Sequence, residues 1–420
     1  MKLDTRALRY LTAEDWRVLQ AVEQGSKNHE LVPTPLIQQI SDLGGGGRVH
    51  KCISNLAKVG LIAKMKNAKY DGYRLTYGGI DYLALNSHRK ANNVFSLGNQ
   101  IGVGKESDIY ITASPDGRQL VLKLHRLGRI SFRSVKANRD YLRNRSTGSW
   151  MYLSRLAAQK EYAFMRVLHR EGFPVPQPIA WNRHTVLMEF VDAFPLRMVE
   201  HVADPGSLYA ELMDIIVRLA RRGLIHGDFN EFNILVKDEE IADRIKEVPI
   251  VIDFPQTVST NHANAEMYFD RDVACIKRYF ERRFKYTCDD PGPHFKETMS
   301  EAGTEGRLDV EVEASGFSKK LAKQLERFVE PTGETEDKEE VHDHGSDEEE
   351  YIHEHENDDG VYDHESGDKQ DVDGDKVEPL LVDEPLPEPL PSLKSGSMPL
   401  GSRTTAAHIK SQKKATGWAI

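Results

Sequence analysis

Cysteine is scarce. Cys52, Cys275 and Cys288 are the only three in 420 residues, and their spacing fits neither a paired framework nor a metal motif. That argues against a disulfide-stapled scaffold and a zinc-built fold, and points to the reduced, mostly buried thiols of an intracellular protein. Long apolar runs are missing too. No stretch reaches the roughly 18 residues of a membrane span, and the first turn, with Lys2, Asp4 and Arg6, lacks the apolar core of a signal peptide. The expectation is a soluble cytoplasmic protein with no membrane partner. At 39% hydrophobic, the chain still has enough apolar side chains for two or three cored domains.

The formal net charge of −10 combines two unlike parts. Between Glu330 and Glu378 stand 22 Asp and Glu against three Lys, a local −19, so all other residues together carry +9. An acidic tail over 330–420 cannot bury a core and is expected to be disordered. His342, His344, His353, His355 and His364 lie among those acids, where no apolar framework would preorganise them as metal ligands. Leu380 to Leu390 has the leucine spacing of a nuclear export signal, and its five prolines between Pro379 and Pro391 fit an extended linker equally well. Shuttling through the nucleus stays open on that account. Just before the tail, Ser318 to Val329 is amphipathic and reads as a last helix packing Leu321, Leu325 and Phe328.

The basic remainder begins with three short helices. Thr12-Ala13-Glu14-Asp15 caps the first, whose apolar face is Trp16, Leu19 and Val22. Thr34-Pro35 opens the second, with Leu36, Ile37 and Ile40. The third runs from about Arg48 to Val59, with Val49, Cys52, Ile53 and Leu56 inward. Leu61 to Lys66 and Gly72 to Thr76 then form a hairpin. Three helices and a basic hairpin describe a winged helix-turn-helix over residues 1–95. Its 14 Lys and Arg against eight Asp and Glu favour phosphate contacts through the third helix and the Lys64, Lys66, Lys69 and Arg74 wing. Winged helices also bind protein, so the surplus alone does not choose the partner.

A second module starts near Asn99. Gly102 and Gly104 stand between apolar strands, where backbone amides approach phosphate oxygens closely, and Lys105, Glu106 and Ser107 follow at the tip. About twenty residues on, Lys123 alternates with apolar neighbours on a strand and falls where a phosphate-pairing lysine belongs. From Arg126 to Trp150 the pattern breaks into a basic, serine-rich stretch that reads as a mobile insertion able to meet nucleic acid or to be phosphorylated. The helix from Arg155 to His169 presents Glu161, a partner for Lys123. Three prolines then precede Val186 to Val191, a hinge strand in which Met188, Glu189 and Val191 would face a purine.

His226-Gly227-Asp228 to Asn233 is the stretch that organises the rest. A helix ending at Gly223 leads into this loop, and Ile234-Leu235-Val236 leaves it as a strand, so Asp228 and Asn233 share a loop fixed at both ends. The carboxylate of Asp228 can orient an attacking hydroxyl or water while the Asn233 amide oxygen ligates a metal. Ile250-Val251-Ile252 reads as a buried strand delivering Asp253, the second carboxylate that a metal on a triphosphate needs. Either acid alone could simply cap a turn; the combination points to phosphoryl transfer.

Taken together, these motifs resemble the RIO family of atypical serine/threonine protein kinases, and the winged helix in front points to its RIO kinase 2 subfamily. The resemblance covers roughly residues 1–290. It implies an α+β fold: the winged helix, a two-lobed, trimmed kinase-like domain with N-lobe 96–190 and C-lobe 191–329, and the disordered tail. It implies ATP and Mg²⁺ as cofactors, with Lys123 on the phosphates, Asp228 catalytic, and Asn233 and Asp253 on the metal. It also implies a serine/threonine kinase or ATPase acting in maturation of the small ribosomal subunit, with its precursor rRNA and assembly factors as partners, and a transient phosphoryl group on Asp253. One departure from ordinary protein kinases is plain: after Asp253 come Phe254-Pro255-Gln256 and soon a helix at Asp272 to Arg282, with no activation segment and no Ala-Pro-Glu motif to seat a peptide. Two rival readings remain, a small-molecule kinase and a binding protein that uses ATP as a switch.

Overall fold

The computed structural model describes residues 3–65, 71–127, 148–241, 244–288, 290–301 and 306–314, with 317, 321, 325 and 418–419. Met1–Thr332 with Lys414–Ile420 group as one unit, separate from 333–413. The latter lies outside the described residues, as do the acidic run and the leucine motif.

Helix α1 (Ala13–Gly25) starts at a reciprocal capping box between Thr12 and Asp15, the arrangement that satisfies two orphan amides at once. Helix α2 (Thr34–Ser41) carries its proline in the first turn, and α3 (Gly46–Lys58) buries Val49, Cys52, Ile53 and Leu56. Strands β1 (Ile62–Lys64) and β2 (Tyr73–Leu75) pair antiparallel as the wing; its tip, 66–70, lies outside the described residues. A fourth helix, α4 (Tyr77–Lys90), follows at once, with no break for a linker. The sequence hides it because its buried face mixes Ile80, Tyr82, Leu83 and Leu85 with Asp81, Asn86 and His88.

Strands β3 (Ser96–Val103), β4 (Ser107–Ala113) and β5 (Gln119–His125), helix α5 (Gly148–Arg170), and strands β6 (Pro178–Asn182) and β7 (Thr185–Glu189) build the N-lobe. The sheet is antiparallel in the order β3-β4-β5-β7-β6, and residues 418–419 pair along the free edge of β3. Leu120, Leu122, Leu124 and Leu187 on this sheet share one apolar cluster with Trp16, Leu19, Leu56, Tyr82 and Leu85. The winged helix is thus fused to the sheet through a common core.

Strand β8 (Phe194–Pro195), helix α6 (Pro205–Arg221), strands β9 (Leu224–Ile225), β10 (Ile234–Ile241), β11 (Arg244–Val251) and β12 (Val258–Ser259), and helices α7 (Ala265–Phe284), α8 (Phe295–Ser300) and α9 (Leu308–Ala314) form the C-lobe. Its core joins α6 and α7 to the far half of α5. Leu325 is buried against Leu127, Leu153 and Leu156, and Leu321 packs beside it, as the amphipathic pattern requires; Phe328 lies outside the described residues.

Three boundaries differ from those read off the sequence. Arg126 does not open a mobile insertion: it is 3% exposed and held by two carboxylates, and Leu127 is buried beside it. Helix α5 begins at Gly148, not Arg155, because Trp150 packs on Tyr77 with ring centroids 3.8 Å apart. The rest of the basic stretch, 128–147, lies outside the described residues. Helix α7 starts at Ala265, seven residues before Asp272.

Candidate active site

Gly223 ends α6 at φ 87°, and the two-residue pairing of β9 with β12 fixes the entry to the His226–Asn233 loop. Pairing of Ile234 with Val251 fixes its exit beside Asp253. Within the loop Gly227 holds φ 77°, and a Cβ there would lie 2.8 Å from the Gln256 carbonyl oxygen. Glycine is required by conformation and by space alike. His226 is buried, and burial lowers its pKa to about 4, so the ring is neutral. It receives the Asp228 amide at Nδ1 (3.3 Å) and donates from Nε2 to the Ile252 carbonyl (3.2 Å), which joins the two acidic segments through one imidazole.

The Asp228 carboxylate accepts from Asn230 Nδ2 at 2.8 Å, Asn233 Nδ2 at 2.9 Å and Gln256 Nε2 at 3.3 Å. Burial first, and the charge of Asp253 second, push its pKa up to about 6. With its amide nitrogen bound to the Asp228 carboxylate and carbonyl, Asn233 has its Oδ1 left as the acceptor for a cation. Asp253, at φ 72°, points Oδ1 to the Lys123 ammonium at 2.9 Å.

Lys123 reaches this point from β5 and also donates to Glu161 Oε1 on α5 at 2.7 Å. Burial opposes its charge, yet Asp253 and Glu161 outweigh that and hold its pKa above the usual lysine range. Burial likewise opposes the Glu161 charge, and Lys123 and His125 overcome it to hold that carboxyl low. His125 Nε2 lies 2.6 Å from the other Glu161 oxygen, poorly aligned for a hydrogen bond.

Glu106, Ser107, Lys123, His125, Asp228, Asp253 and Gln256 line one cleft. The Glu106 residue is exposed, yet its carboxyl feels desolvation and then Asp253, both raising its pKa. Three carboxylates therefore converge on a space with one ammonium. That excess of hard oxygen donors fits a divalent cation: Asn233 and Asp253 would hold it, and it would neutralise phosphate charge. Among the described residues no three His, Cys, Asp or Glu side chains form a metal cage, so the remaining ligands would be phosphate oxygens and water.

Of the residues singled out in the sequence, Glu106, Ser107, Lys123, Asp228 and Asp253 meet at this cleft, with Glu161 and Asn233 bonded to members of the set. Gly102 lies on β3, where Gly102 pairs with Ile109, and Gly104 closes the hairpin tip by donating its amide to the Ser107 carbonyl at 2.7 Å. Lys105 is exposed at that tip. Met188 is buried at the end of β7, beside exposed Glu189, and Val191 is half-buried beyond the strand.

Sequence reasoning missed three members. His125 follows Lys123 by two on the same strand. Gln256 belongs to the quoted Asp-Phe-Pro-Gln run but had no role there. Asp272 of α7 is buried and accepts the Gly227 and Phe229 amides at 2.8 and 3.0 Å, with its pKa pushed up to about 6 by burial. Its signal was an acid on the apolar stripe of Phe269, Val273, Ile276 and Phe280.

The profile of the RIO domain family matches residues 108–291, and that of the Rio2 N-terminal domain matches 8–91. The serine/threonine-protein kinase rio2 of Schizosaccharomyces pombe is 58% identical over 328 residues, 78% of this chain and 92% of that protein. The Saccharomyces cerevisiae serine/threonine-protein kinase RIO2 is 51% identical over 337 residues, 76% of this chain and 78% of its own. A Rio2 kinase crystal structure from Chaetomium thermophilum, an ADP/Mg²⁺-phosphoaspartate complex, superposes with a TM-score of 0.73 at 65% identity, covering 78% of this chain and 98% of that one.

Proposed function

The chain belongs to the Rio2 family of RIO serine/threonine-protein kinases, and from that premise we propose that it acts on cytoplasmic precursors of the small ribosomal subunit by passing phosphate transiently to Asp253. It is a kinase that uses ATP and Mg²⁺. The observation that carries the rest is the position of Asp253: its carboxylate touches the phosphate-site lysine at 2.9 Å, and eleven residues, Phe254 to Asn264, separate it from α7. An activation segment with a peptide shelf does not fit in that span. The acceptor nearest the terminal phosphate is then the carboxylate itself, and the Chaetomium thermophilum relative was crystallised as a phosphoaspartate.

An Asp253 carboxylate oxygen attacks the γ-phosphorus, the bond to the β-phosphate oxygen breaks, and ADP leaves. Water then attacks the same phosphorus, giving inorganic phosphate and regenerating the carboxylate. Asp228, whose raised pKa brings it near neutrality, accepts the proton from that water. Lys123 holds the phosphates in both steps, positioned by Glu161.

Support for an RNA-rich partner comes from the winged helix. Arg48, Lys51 and Lys58 of α3 and Lys64 of the wing are exposed, although Arg48 is shared with Glu14 at 3.7 Å and Lys64 with Asp71 at 3.1 Å. Such exposed pairs are weak and exchange readily for phosphate. Assembly factors on the same particle would be its protein partners.

Single turnover with γ-labelled ATP and Mg²⁺ tests the reading, comparing the full chain, Asp228→Ala and Asp253→Asn, with and without small-subunit precursor particles. Label released as phosphate through a hydroxylamine-sensitive species absent from Asp253→Asn is the expected result. Label stable on serine of a particle protein, abolished by Asp228→Ala, would establish a kinase acting in trans and overturn the aspartyl route. Stimulation by an alcohol metabolite in place of precursor RNA would overturn the ribosomal one.

A further inference from the structure

We propose that Arg126 is a positioning residue for the phosphate-binding hairpin, and that through it the winged helix forms part of the nucleotide site. Arg126 follows β5, three residues after Lys123, and is 3% exposed. Its two Nη atoms donate to the two oxygens of Asp81 on α4, each at 2.7 Å. Its Nε donates to Asp108 Oδ2 at 3.1 Å. Asp108 directly follows Ser107, the residue that closes the hairpin tip. The Arg126 backbone amide donates to the Glu106 carbonyl at 2.6 Å, one rung beyond the pairing of Ser107 with His125. One residue therefore grips the tip through its backbone, the returning strand through Nε, and the winged helix through its fork.

Adhesion does not require this network. A shared apolar cluster already joins the winged helix to the sheet, and a buried ion pair adds little to stability over a well-packed apolar substitute. What it adds is position. A planar guanidinium with three fixed bonds tolerates little displacement of any partner. Asp81 is fixed from a second side as well, accepting from His184 Nε2 at 2.8 Å, and the His184 carbonyl accepts the His125 amide at 2.8 Å. A shift of α4 must carry Asp108 and the hairpin with it or leave a buried charge poorly paired. Coupling of this kind is reciprocal: nucleotide on the hairpin steadies Asp81 on α4, and whatever fixes the Asp81 carboxylate against Arg126 favours nucleotide. The inference requires nucleotide in the cleft and is independent of the ribosomal reading.

A control tie exists elsewhere on the same interface. Arg183, in the β6–β7 turn, donates to Glu23 of α1 at 2.7 Å and to Ser87 of α4 at 2.8 Å without touching the hairpin. MgADP affinity of the full chain, measured by calorimetry, should fall about tenfold in Asp81→Asn and in Arg126→Lys, and stay within about twofold in Glu23→Gln, given coupling energies typical of linked sites. Hydrogen exchange should show the amides of 104–110 losing protection in the first two variants only. Asp81→Asn that melts earlier yet binds MgADP like the parent would overturn the proposal, leaving the network a structural contact. Glu23→Gln weakening nucleotide as much as Asp81→Asn would overturn it too. If the Asp81 and Arg126 variants fail to fold, the parent still decides: MgADP must slow exchange in α4 around Asp81, and unchanged α4 amides would refute the coupling.

Discussion

Gly227 and Asp253 both hold left-handed backbone, at φ 77° and 72°, on the two segments whose carboxylates meet in the cleft. Left-handed geometry costs an L-residue about 1–2 kcal/mol, and Asp253 bears it because the surrounding bonds over-determine its place. Gly227 has no such latitude. Gly227→Ala adds the strain and a methyl 2.8 Å from the Gln256 carbonyl, so the Gln256 contact to Asp228 must shift. The expected result is a melting temperature lower by a few degrees and turnover reduced at least about tenfold, with MgADP affinity less affected. Unchanged turnover would show that the loop relaxes freely. His88 offers a test by pH. It is 2% exposed beside Thr185, and burial, then Arg183 and His184, lower its pKa from the imidazole range to about 4. The folded value lies below the unfolded one, so its contribution is complete above about pH 6.5 and is lost as pH falls toward 4, at about 3 kcal/mol in all. Asp228 and Asp272, both raised to about 6, act in the opposite sense over the same range. The informative quantity is therefore the difference between parent and His88→Gln, whose melting temperature should fall less on acidification from pH 7 to 4.5. Equal slopes would mean that His88 takes up its proton without cost.

Elements were legible in proportion to how cleanly each buries one face. Helix α3 places Val49, Cys52, Ile53 and Leu56 inward as its periodicity requires, and β5 delivers Lys123 by strict alternation with apolar neighbours. Asp228, Asn233 and Asp253 were readable because a short loop and one strand pair fix their spacing. Helix α4 and the ordered Arg126 after β5 were not, since Asp81, His88 and Arg126 are buried polar groups whose partners lie far along the chain, and no local pattern signals a long-range ion pair. Asp272 was missed for the same reason: its partners are backbone amides 43 and 45 residues away. Its role is to fix the catalytic loop against α7, and both of its oxygens are engaged in doing so. Asp272→Asn keeps the shape but exchanges one acceptor for a donor facing an amide. The expected result is kcat for ATP turnover lower by about 10–100-fold with the KM for ATP little changed, because the loop misplaces Asp228 without touching the phosphate lysine. A matching rise in KM would instead place Asp272 in nucleotide binding.

At the scale of the molecule, charge and fold speak to different questions. The winged helix and both lobes follow from apolar patterning, whereas the partner is argued from the +9 carried outside the acidic run. That surplus says nothing about which face is used. Lys51 and Lys58 lie exposed on α3, on a helix whose opposite side is sealed into the core shared with the N-lobe sheet. RNA bound there would release counterions in proportion to the phosphates contacted. Replacing both lysines by glutamate removes two contacts, so the slope of log K against log salt for a precursor rRNA fragment should become shallower by about 1.4–1.8, from 0.7–0.9 per phosphate. The full chain should show this while its turnover of free ATP is unaltered, since neither lysine reaches the cleft. An unchanged slope with unchanged affinity would move the RNA contact off the winged helix, and the helix would then serve the kinase through Asp81 and Arg126 rather than through its outer face.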